Sequence, residues 1–172
     1  MQTVQTASKT RGTGDANGAT VHSIGIAAVK VVKKPERIRT VLGSCIGVAV
    51  YDSVAGIGGM AHVILPDSTE GSGDPGKFAD TAVDMLIEKL IEAGSVHKRL
   101  AAKIVGGAQM FGNKVCSGLG QRNAEAVKAR LNHHTVQLVA SAVGGGKGRK
   151  MQLDPATGEV HVAIIGQELE VL

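Results

Sequence analysis

Apolar and polar positions divide the first half of the chain into short strands. The segment RIRTVL, residues 37–42, alternates basic and apolar side chains, the period-2 pattern of a half-buried strand. The segments IGVAVYD (46–52) and GIGGMAHVILP (56–66) are more continuously apolar and predict two strands joined by a short hairpin at DSVAG. Upstream, the run HSIGIAAVKVV (22–32) predicts one further strand.

Helical periodicity appears only in the second half. Apolar residues at i, i+3, i+4, i+7 and i+8 predict a helix from about Lys77 to Ala93, and residues 121–134 predict a second helix. Strands are predicted at 100–105 and 135–141, and a closing β-hairpin turns at DPATG. Because strands and helices are segregated along the chain, the pattern favours an α+β fold over a doubly wound sheet.

Length and composition indicate one domain. The chain has 172 residues, and its first twenty are rich in Thr, Gly, Ala and Gln. We therefore expect a disordered N-terminal tail over 1–20 and a single domain over 21–172. No run approaches the ~18 apolar residues of a membrane span, and the N-terminus has no apolar signal-peptide core. These features predict a cytoplasmic protein without membrane insertion.

Charge and aromatic content argue against nucleic acid as a partner. The net charge is only +4, and aromatic residues make up 2% of the chain, with no Trp. Binding of single strands relies on aromatic side chains that stack on bases, and these are scarce here. The mild positive charge fits a mixed surface with a weak preference for acidic protein partners.

The cysteines and histidines show no metal-binding spacing. The two cysteines, Cys45 and Cys116, are far apart, and the six histidines form no paired motif. We expect no metal and no cofactor. Both cysteines should be free thiols in a reducing compartment, and a free thiol is most often a small buried hydrophobic residue.

The position of Cys45 suggests a second interpretation. Gly43 and Ser44 interrupt two predicted strands just before the thiol, and Gly43 can adopt backbone angles closed to other residues. Such a turn can direct the backbone N–H groups of Ser44, Cys45 and Ile46 toward one point, which would form an oxyanion hole. Both interpretations, structural thiol and nucleophile, remain open at this point.

A base for Cys45 is available in the next strand. If the strands pair about a midpoint near residue 54, residue 45 lies opposite about residue 63, close to His62. Ala61 and Val63 are apolar, so the His62 ring belongs to the opposite face of its strand. The alternative is a structural histidine at the edge of the core. The sequence GSCIG also resembles a nucleophile elbow, but an elbow requires a following helix, and IGVAVYD favours a strand.

Several blocks together resemble the CheD family, the chemoreceptor glutamine deamidases of bacterial and archaeal chemotaxis. The resemblance rests on LGSCIGVAVYD, GGMAHVILPDS, PGKFADTAVDMLIEKLIEAG, AAKIVGGAQMF, GQRNAEAVK and GGGKGRKMQLDPATGEV. These blocks occur in the family's order and span roughly residues 22–165.

The resemblance implies a three-layer α/β/β sandwich with mostly antiparallel strands and two main helices. It implies Cys45 as the nucleophile, His62 as the general base and acid, and Thr40 as the family's threonine shortly before the cysteine. Gly43, Ser44 and Ile46 are the matching candidates for binding the substrate or the oxyanion.

The implied function is conversion of specific glutamines of methyl-accepting chemoreceptors to glutamate through a thioester, with hydrolysis of glutamate methyl esters as a related activity. The alternative is a non-catalytic binding module that regulates a CheC-type phosphatase. That phosphatase is also an implied partner of the enzyme, with Met110 and Phe111 as candidate contacts. A monomer is the default expectation.

Overall fold

Eleven strands and two α-helices make up the part of the chain that the structure, a computed structural model, describes: residues 12–14, 18–109, 118–164 and 166–172. The strands are β1 (Gly12–Gly14), β2 (Thr20–Ser23), β3 (Val29–Lys33), β4 (Arg37–Leu42), β5 (Ile46–Asp52), β6 (Ile57–Val63), β7 (Ala101–Gly106), β8 (Gln137–Val143), β9 (Arg149–Leu153), β10 (Val160–Ile164) and β11 (Glu170–Val171). The helices are α1 (Ala79–Glu92) and α2 (Leu119–His133). Three short 3₁₀ helices span Ser68–Glu70, Pro75–Lys77 and His97–Arg99.

The strands form two sheets. The outer sheet has the order β1-β2-β4-β9-β10-β11, and the central sheet has the order β3-β6-β5-β7-β8. Neighbouring strands are antiparallel except for two parallel pairs, β2 with β4 and β7 with β8. Helix α2 makes the crossover between β7 and β8, as a parallel pair requires.

The central sheet is covered on both faces. On one face, Val48 and Ile104 pack with Leu86 of α1 and Leu131 of α2 in a fully apolar core. On the other face, Met60 belongs to a second core shared with the outer sheet. The fold is therefore an α+β protein with helix, sheet and sheet layers, which confirms the predicted α/β/β sandwich.

The hairpin that carries Cys45 and His62 follows the predicted pattern closely. Strands β4 and β5 begin and end at the predicted residues, and β6 lies within the predicted run. Strand β4 buries every second residue, as its alternation predicts. The two predicted helices and the closing hairpin of β9 and β10 are also present.

One predicted strand is wrong. The run at 22–32 forms two strands, because β2 lies in the outer sheet and β3 in the central sheet. The chain changes sheets between them, where Ala27 has a left-handed backbone with φ of 63° and donates its N–H to the His62 carbonyl. A continuous apolar run does not reveal such a crossover, because both halves are apolar for different sheets.

The N-terminal segment differs in part from the expected disordered tail. Gly12–Gly14 pair antiparallel with β2, and Ala19 is buried. Residues 1–11 and 15–17 lie outside the described residues, as do Met110, Phe111 and Cys116. Among the described helices, none is both long enough and apolar enough to cross a membrane.

Candidate active site

The register of the β5–β6 hairpin places Cys45 and His62 on one sheet face. Ile46 lies opposite Val63, and Gly47 lies opposite His62. The expected pairing of residue 45 with about residue 63 is thus displaced by one position. Cys45 precedes Gly47 by two residues and therefore shares its face, since side chains alternate with period 2. Cys45 indeed packs against the core between the two sheets.

A glycine beside His62 lets the two sheets approach each other. A Cβ atom on Gly47 would lie 2.6 Å from Met151 Sδ and 2.8 Å from Leu42 Cδ1, both in the outer sheet. These distances are shorter than any normal carbon contact, so only glycine fits here without displacement. The close approach brings β4 near His62.

Thr40 contacts His62 across the gap between the sheets. Its hydroxyl oxygen lies 2.8 Å from His62 Nδ1 and 2.9 Å from the carbonyl oxygen of Ile24. The carbonyl can only accept, so the hydroxyl donates a hydrogen bond to the Ile24 carbonyl and accepts one from Nδ1–H. This network assigns the neutral tautomer with hydrogen on Nδ1, which leaves the Nε2 lone pair available as a base.

Burial keeps His62 neutral. The side chain is buried, with 4% of the residue exposed. Desolvation of the imidazolium lowers the His62 pKa below its ordinary value of 6.5. At neutral pH the ring is therefore unprotonated, as a general base must be.

The Cys45 thiol is also neutral at rest. The residue is half-buried, and burial raises its pKa above the ordinary value of 9.0, while its own backbone N–H opposes the rise. Among the described side chains, no hydrogen bond joins the Cys45 sulfur to the His62 ring. The resting pair consists of two uncharged groups, and catalytic hydrogen bonds often tighten only when substrate is bound.

The segment after β7 fixes the backbone of the cysteine turn. Gly107 donates its N–H to the Cys45 carbonyl at 2.8 Å, and Ala108 donates to the Gly43 carbonyl at 2.8 Å. Gly106 has φ of +118°, and a Cβ there would lie 2.2 Å from the Cys45 carbonyl oxygen. The turn before β5 is thus anchored through its carbonyl groups.

The three predicted oxyanion donors, the N–H groups of Ser44, Cys45 and Ile46, are not equally available to a ligand. His62 directs its N–H and C=O toward β3, to Ala28 and Ala27. Backbone groups alternate along a strand, so Val63 faces β5, and the register directs the Ile46 N–H toward it. Ser44 and Cys45 precede the strand, and their N–H groups are the better candidates for binding an oxyanion.

Arg149 holds a loop near the cysteine turn. It is not among the site residues that the sequence predicts. It is buried on the inward face of β9 and donates to the carbonyl groups of Ala142, Gly144 and Lys147. The alternating pattern RKMQL places residue 149 on the same face as the buried Met151, which is a signal for burial.

The loop that Arg149 holds is bonded to the segment behind Cys45. Gly144 donates its N–H to the Gly106 carbonyl at 2.9 Å, and Gln109 donates to the Gly145 carbonyl at 2.8 Å. A continuous hydrogen-bond network therefore runs from Arg149 through this loop to the cysteine turn.

A cleft of about 450 Å³ has the buried residues Thr40 and His62 in its wall. It lies where β2 ends and the chain crosses toward β3, so no described strand pairs with the end of β4 on that side. The cleft is lined by Ser23, Ile24, Gly25, Ile26, Arg39, Thr40, Val41, His62 and Lys150.

No metal centre is found in the part of the chain that the structure describes: it contains no group of three or more His, Cys, Asp or Glu side chains that could hold an ion.

Comparison with known proteins identifies the family. The family described as CheD chemotactic sensory transduction matches residues 64–164. The "Probable chemoreceptor glutamine deamidase CheD" of Clostridium botulinum strain Hall is 45% identical over 149 residues, 83% of this chain and 92% of that protein. The protein of the same name from Desulforamulus reducens is 41% identical over 163 residues, 91% of this chain and 98% of that protein.

The pairwise similarity extends over most of the chain at a level that unrelated proteins do not reach, and it agrees with the blocks in the sequence that suggested the same relationship. The chain belongs to the CheD family.

Proposed function

We propose that this protein is an amidohydrolase that converts glutamine side chains of methyl-accepting chemoreceptors to glutamate, with Cys45 as the nucleophile. The names of its relatives support the substrate class. The arrangement of Thr40, His62 and Cys45 between the two sheets supports the chemistry. No nucleic acid takes part, and the chain needs no cofactor for this reaction.

The reaction begins with proton transfer. His62 Nε2 takes the thiol proton of Cys45 as the sulfur attacks the side-chain amide carbon of glutamine. Because both groups are neutral at rest, the charge separation develops only when the substrate is in place. Thr40 accepts a hydrogen bond from Nδ1–H, which stabilises the imidazolium that forms.

Attack converts the amide oxygen to an oxyanion. The N–H groups of Ser44 and Cys45 donate to it. The Ala108 N–H holds the Gly43 carbonyl of the same turn. The imidazolium then returns its proton to the amide nitrogen, the C–N bond breaks and ammonia leaves. The product of this half-reaction is a thioester between Cys45 and the receptor.

Water completes the reaction. His62, now neutral again, takes a proton from water, which attacks the thioester carbonyl and releases glutamate and the Cys45 thiol. A glutamate methyl ester would enter the same cycle with methanol as the leaving group, so ester hydrolysis is a second activity of this chemistry.

The observation that carries the proposal is the contact between Thr40 Oγ1 and His62 Nδ1 at 2.8 Å. A buried histidine needs a hydrogen-bond partner in either role, so what supports catalysis is that the partner is bonded to Nδ1. This contact leaves Nε2 as the basic nitrogen, on the face that Cys45 shares.

Mass spectrometry of a receptor cytoplasmic fragment tests the proposal. Wild-type protein should convert specific glutamines to glutamate, and Cys45→Ala should leave them unchanged while retaining the fold. Conversion that continues with Cys45→Ala would exclude Cys45 from the reaction.

A second candidate function is a non-catalytic module that regulates a CheC-type phosphatase. The resting state favours this candidate: burial raises the Cys45 pKa, so the thiol is protonated, and no hydrogen bond joins it to His62 in the described structure. If the phosphatase responds equally to wild type and Cys45→Ala, and receptor glutamines remain unchanged with both, the protein acts through binding alone.

A further inference from the structure

The cleft over His62 continues along the outer face of the outer sheet. A second depression of about 580 Å³ is lined by Val41, Lys150, Ala163, Ile164 and the loop 146–149. It shares Val41 and Lys150 with the cleft that reaches Thr40 and His62. The two depressions adjoin at these residues, and we call the surface that they form together the rim groove; it extends from Ala163 and Ile164 to Thr40 and His62.

The floor of the rim groove is a row of cross-strand neighbours. Val41 of β4 lies opposite Lys150 of β9, and Lys150 lies opposite Ala163 of β10. Their side chains point away from the inter-sheet core, because their strand neighbours point into it. Val41 is 65% exposed, and Ile26 at the other side of the cleft is 62% exposed.

The charges along the rim groove all have one sign. Arg39, Lys147, Arg149 and Lys150 line it, and none of its described lining residues is acidic. The terminal nitrogens of the buried Arg149 donate to backbone carbonyl groups, and the Arg39 Nε–H donates to the Ser23 hydroxyl. Lys150 is exposed, and no acidic partner for it is found in the described part of the chain.

We propose that the rim groove is the docking surface for the receptor segment that carries the target glutamine, and that Lys150 selects segments with acidic residues beside that glutamine. The proposal rests on the proposed function, since it names how the same substrate is recognised. Charge complementarity carries it: a groove with cations and exposed aliphatic side chains favours an acidic segment with an apolar residue.

The geometry also assigns distinct roles along the groove. Ile26 and Val41 offer apolar contact on the two sides of the opening, and Lys150 lies one strand further out. A segment bound across Val41 therefore presents one side chain to the cleft at His62 and its neighbours to Lys150. Recognition of flanking charge would then restrict which glutamines are modified.

Binding in a catalytically inactive background tests this directly. The dissociation constant of a receptor cytoplasmic fragment is measured for Cys45→Ala and for Cys45→Ala with Lys150→Glu, by calorimetry at low and moderate salt. We expect about tenfold weaker binding with Lys150→Glu, from loss of one exposed ion pair and its replacement by repulsion. The salt dependence of binding should also decrease, because fewer opposite charges interact.

The matched control is Lys98→Glu in the same background. Lys98 is exposed in the 3₁₀ helix that precedes β7, whereas Gly106 lies at the other end of that strand. The change in charge is the same as in Lys150→Glu. Lys98→Glu should bind as the parent does. Equal dissociation constants for the Lys150→Glu and Lys98→Glu variants would overturn the proposal, as would failure of the parent to bind the fragment.

A charge reversal in the substrate sharpens the result. When the acidic residues beside the modified glutamine are changed to lysine, Lys150→Glu should bind the altered fragment more tightly than the parent does. If the Lys150→Glu variant does not bind the altered fragment more tightly than the parent does, Lys150 does not recognise the charges beside the glutamine.

Failure here is distinguishable from failure of the proposed function. If wild type modifies the receptor and Cys45→Ala does not, while Lys150→Glu has no effect, the docking surface is wrong and the deamidase remains. If wild type and Cys45→Ala give identical receptor masses, the proposed reaction is wrong whatever the binding data show.

Discussion

The polar residues at the two ends of strand β5 have opposite electrostatic environments. At one end, Asp52 accepts hydrogen bonds from the N–H groups of Ala55 and Val96 and from the Arg99 guanidinium at 2.8–3.0 Å. These bonds, led by the one from Arg99, lower the Asp52 pKa to about 2. At the other end, no charged side chain among the described residues shifts the pKa of Cys45 or His62, and burial shifts both pKa values toward the neutral forms.

The difference separates stability from reactivity within one hairpin. The Asp52 end holds a charge that is fully compensated, so it stabilises the turn between β5 and β6 and has little capacity left for a ligand. At the Cys45 end, the thiol and the imidazole stay neutral until a substrate binds, so binding and proton transfer are coupled there. Changes at the two ends should therefore be separable by experiment.

The largest effect is expected for His62→Gln. Loss of the base should lower receptor deamidation about 10³-fold, since general-base catalysis typically contributes that much. Stability should change little in comparison. In the wild type, activity should fall only as the pH drops below the ordinary histidine value of 6.5, because burial lowers the His62 pKa. Activity within tenfold of wild type in His62→Gln would contradict the assigned role.

At the opposite end, Asp52→Asn should affect stability rather than activity. The Asp52 side chain is fully buried, and the substitution removes the carboxylate that binds Arg99. It should lower the unfolding free energy by about 2 kcal/mol in urea titrations, since the partly exposed Arg99 can be hydrated. Activity per folded molecule should stay near the wild-type level. The exposed Glu92→Gln in the last turn of α1 serves as the control and should change stability by less than about 0.5 kcal/mol.

An intermediate effect is expected for Thr40→Val, which keeps the shape of the side chain and removes the partner of His62 Nδ1. Loss of this buried hydrogen bond should lower kcat by about thirtyfold, or roughly 2 kcal/mol, with a smaller change in KM. Thr40→Ser restores the hydroxyl and should recover most of the loss. If the serine variant is as impaired as the valine variant, Thr40 acts through packing.

Acid should lower the free energy of unfolding through Asp52, by an amount equal to or smaller than the effect of Thr40→Val on catalysis. The Asp52 pKa is lowered from 3.8 to about 2 in the fold, so its contribution is present above the unfolded value and lost as the pH falls toward the folded one. The shift corresponds to roughly 2 kcal/mol, lost between about pH 5 and pH 2. Urea titrations over that range should show a smaller decline for Asp52→Asn; equal declines would contradict the assignment.

The sequence predicts the hairpin well because the information for it is local. The alternation in RIRTVL and the apolar runs on both sides of DSVAG set β4, β5 and β6, and hairpin arithmetic brings Cys45 close to His62. Its error of one position matters, because pairing residue 45 with residue 63 would place Cys45 and His62 on opposite faces, whereas the observed register places them on one face. The arithmetic cannot yield the Thr40–His62 contact, because that contact depends on how closely the two sheets stack.

Other features are hidden from a reading of single segments. The crossover at Ala27 divides one apolar run between two sheets, and only the tertiary structure decides where the run breaks. Arg149 lies in a basic, glycine-rich stretch that suggests a solvated loop, yet the alternation of β9 buries it. Its role in supporting the cysteine turn depends on hydrogen bonds to residues distant in sequence.

The central claim is that Cys45 forms a covalent bond to the receptor during the reaction. Acid quenching of the reaction between wild-type protein and a receptor fragment, followed by digestion and mass spectrometry, tests it most directly. We predict a thioester-linked pair of peptides, one containing Cys45 and one containing the target glutamine, with the mass of their sum less one ammonia. Deamidated receptor without any such linked species, or with the receptor attached at another residue, would contradict the account.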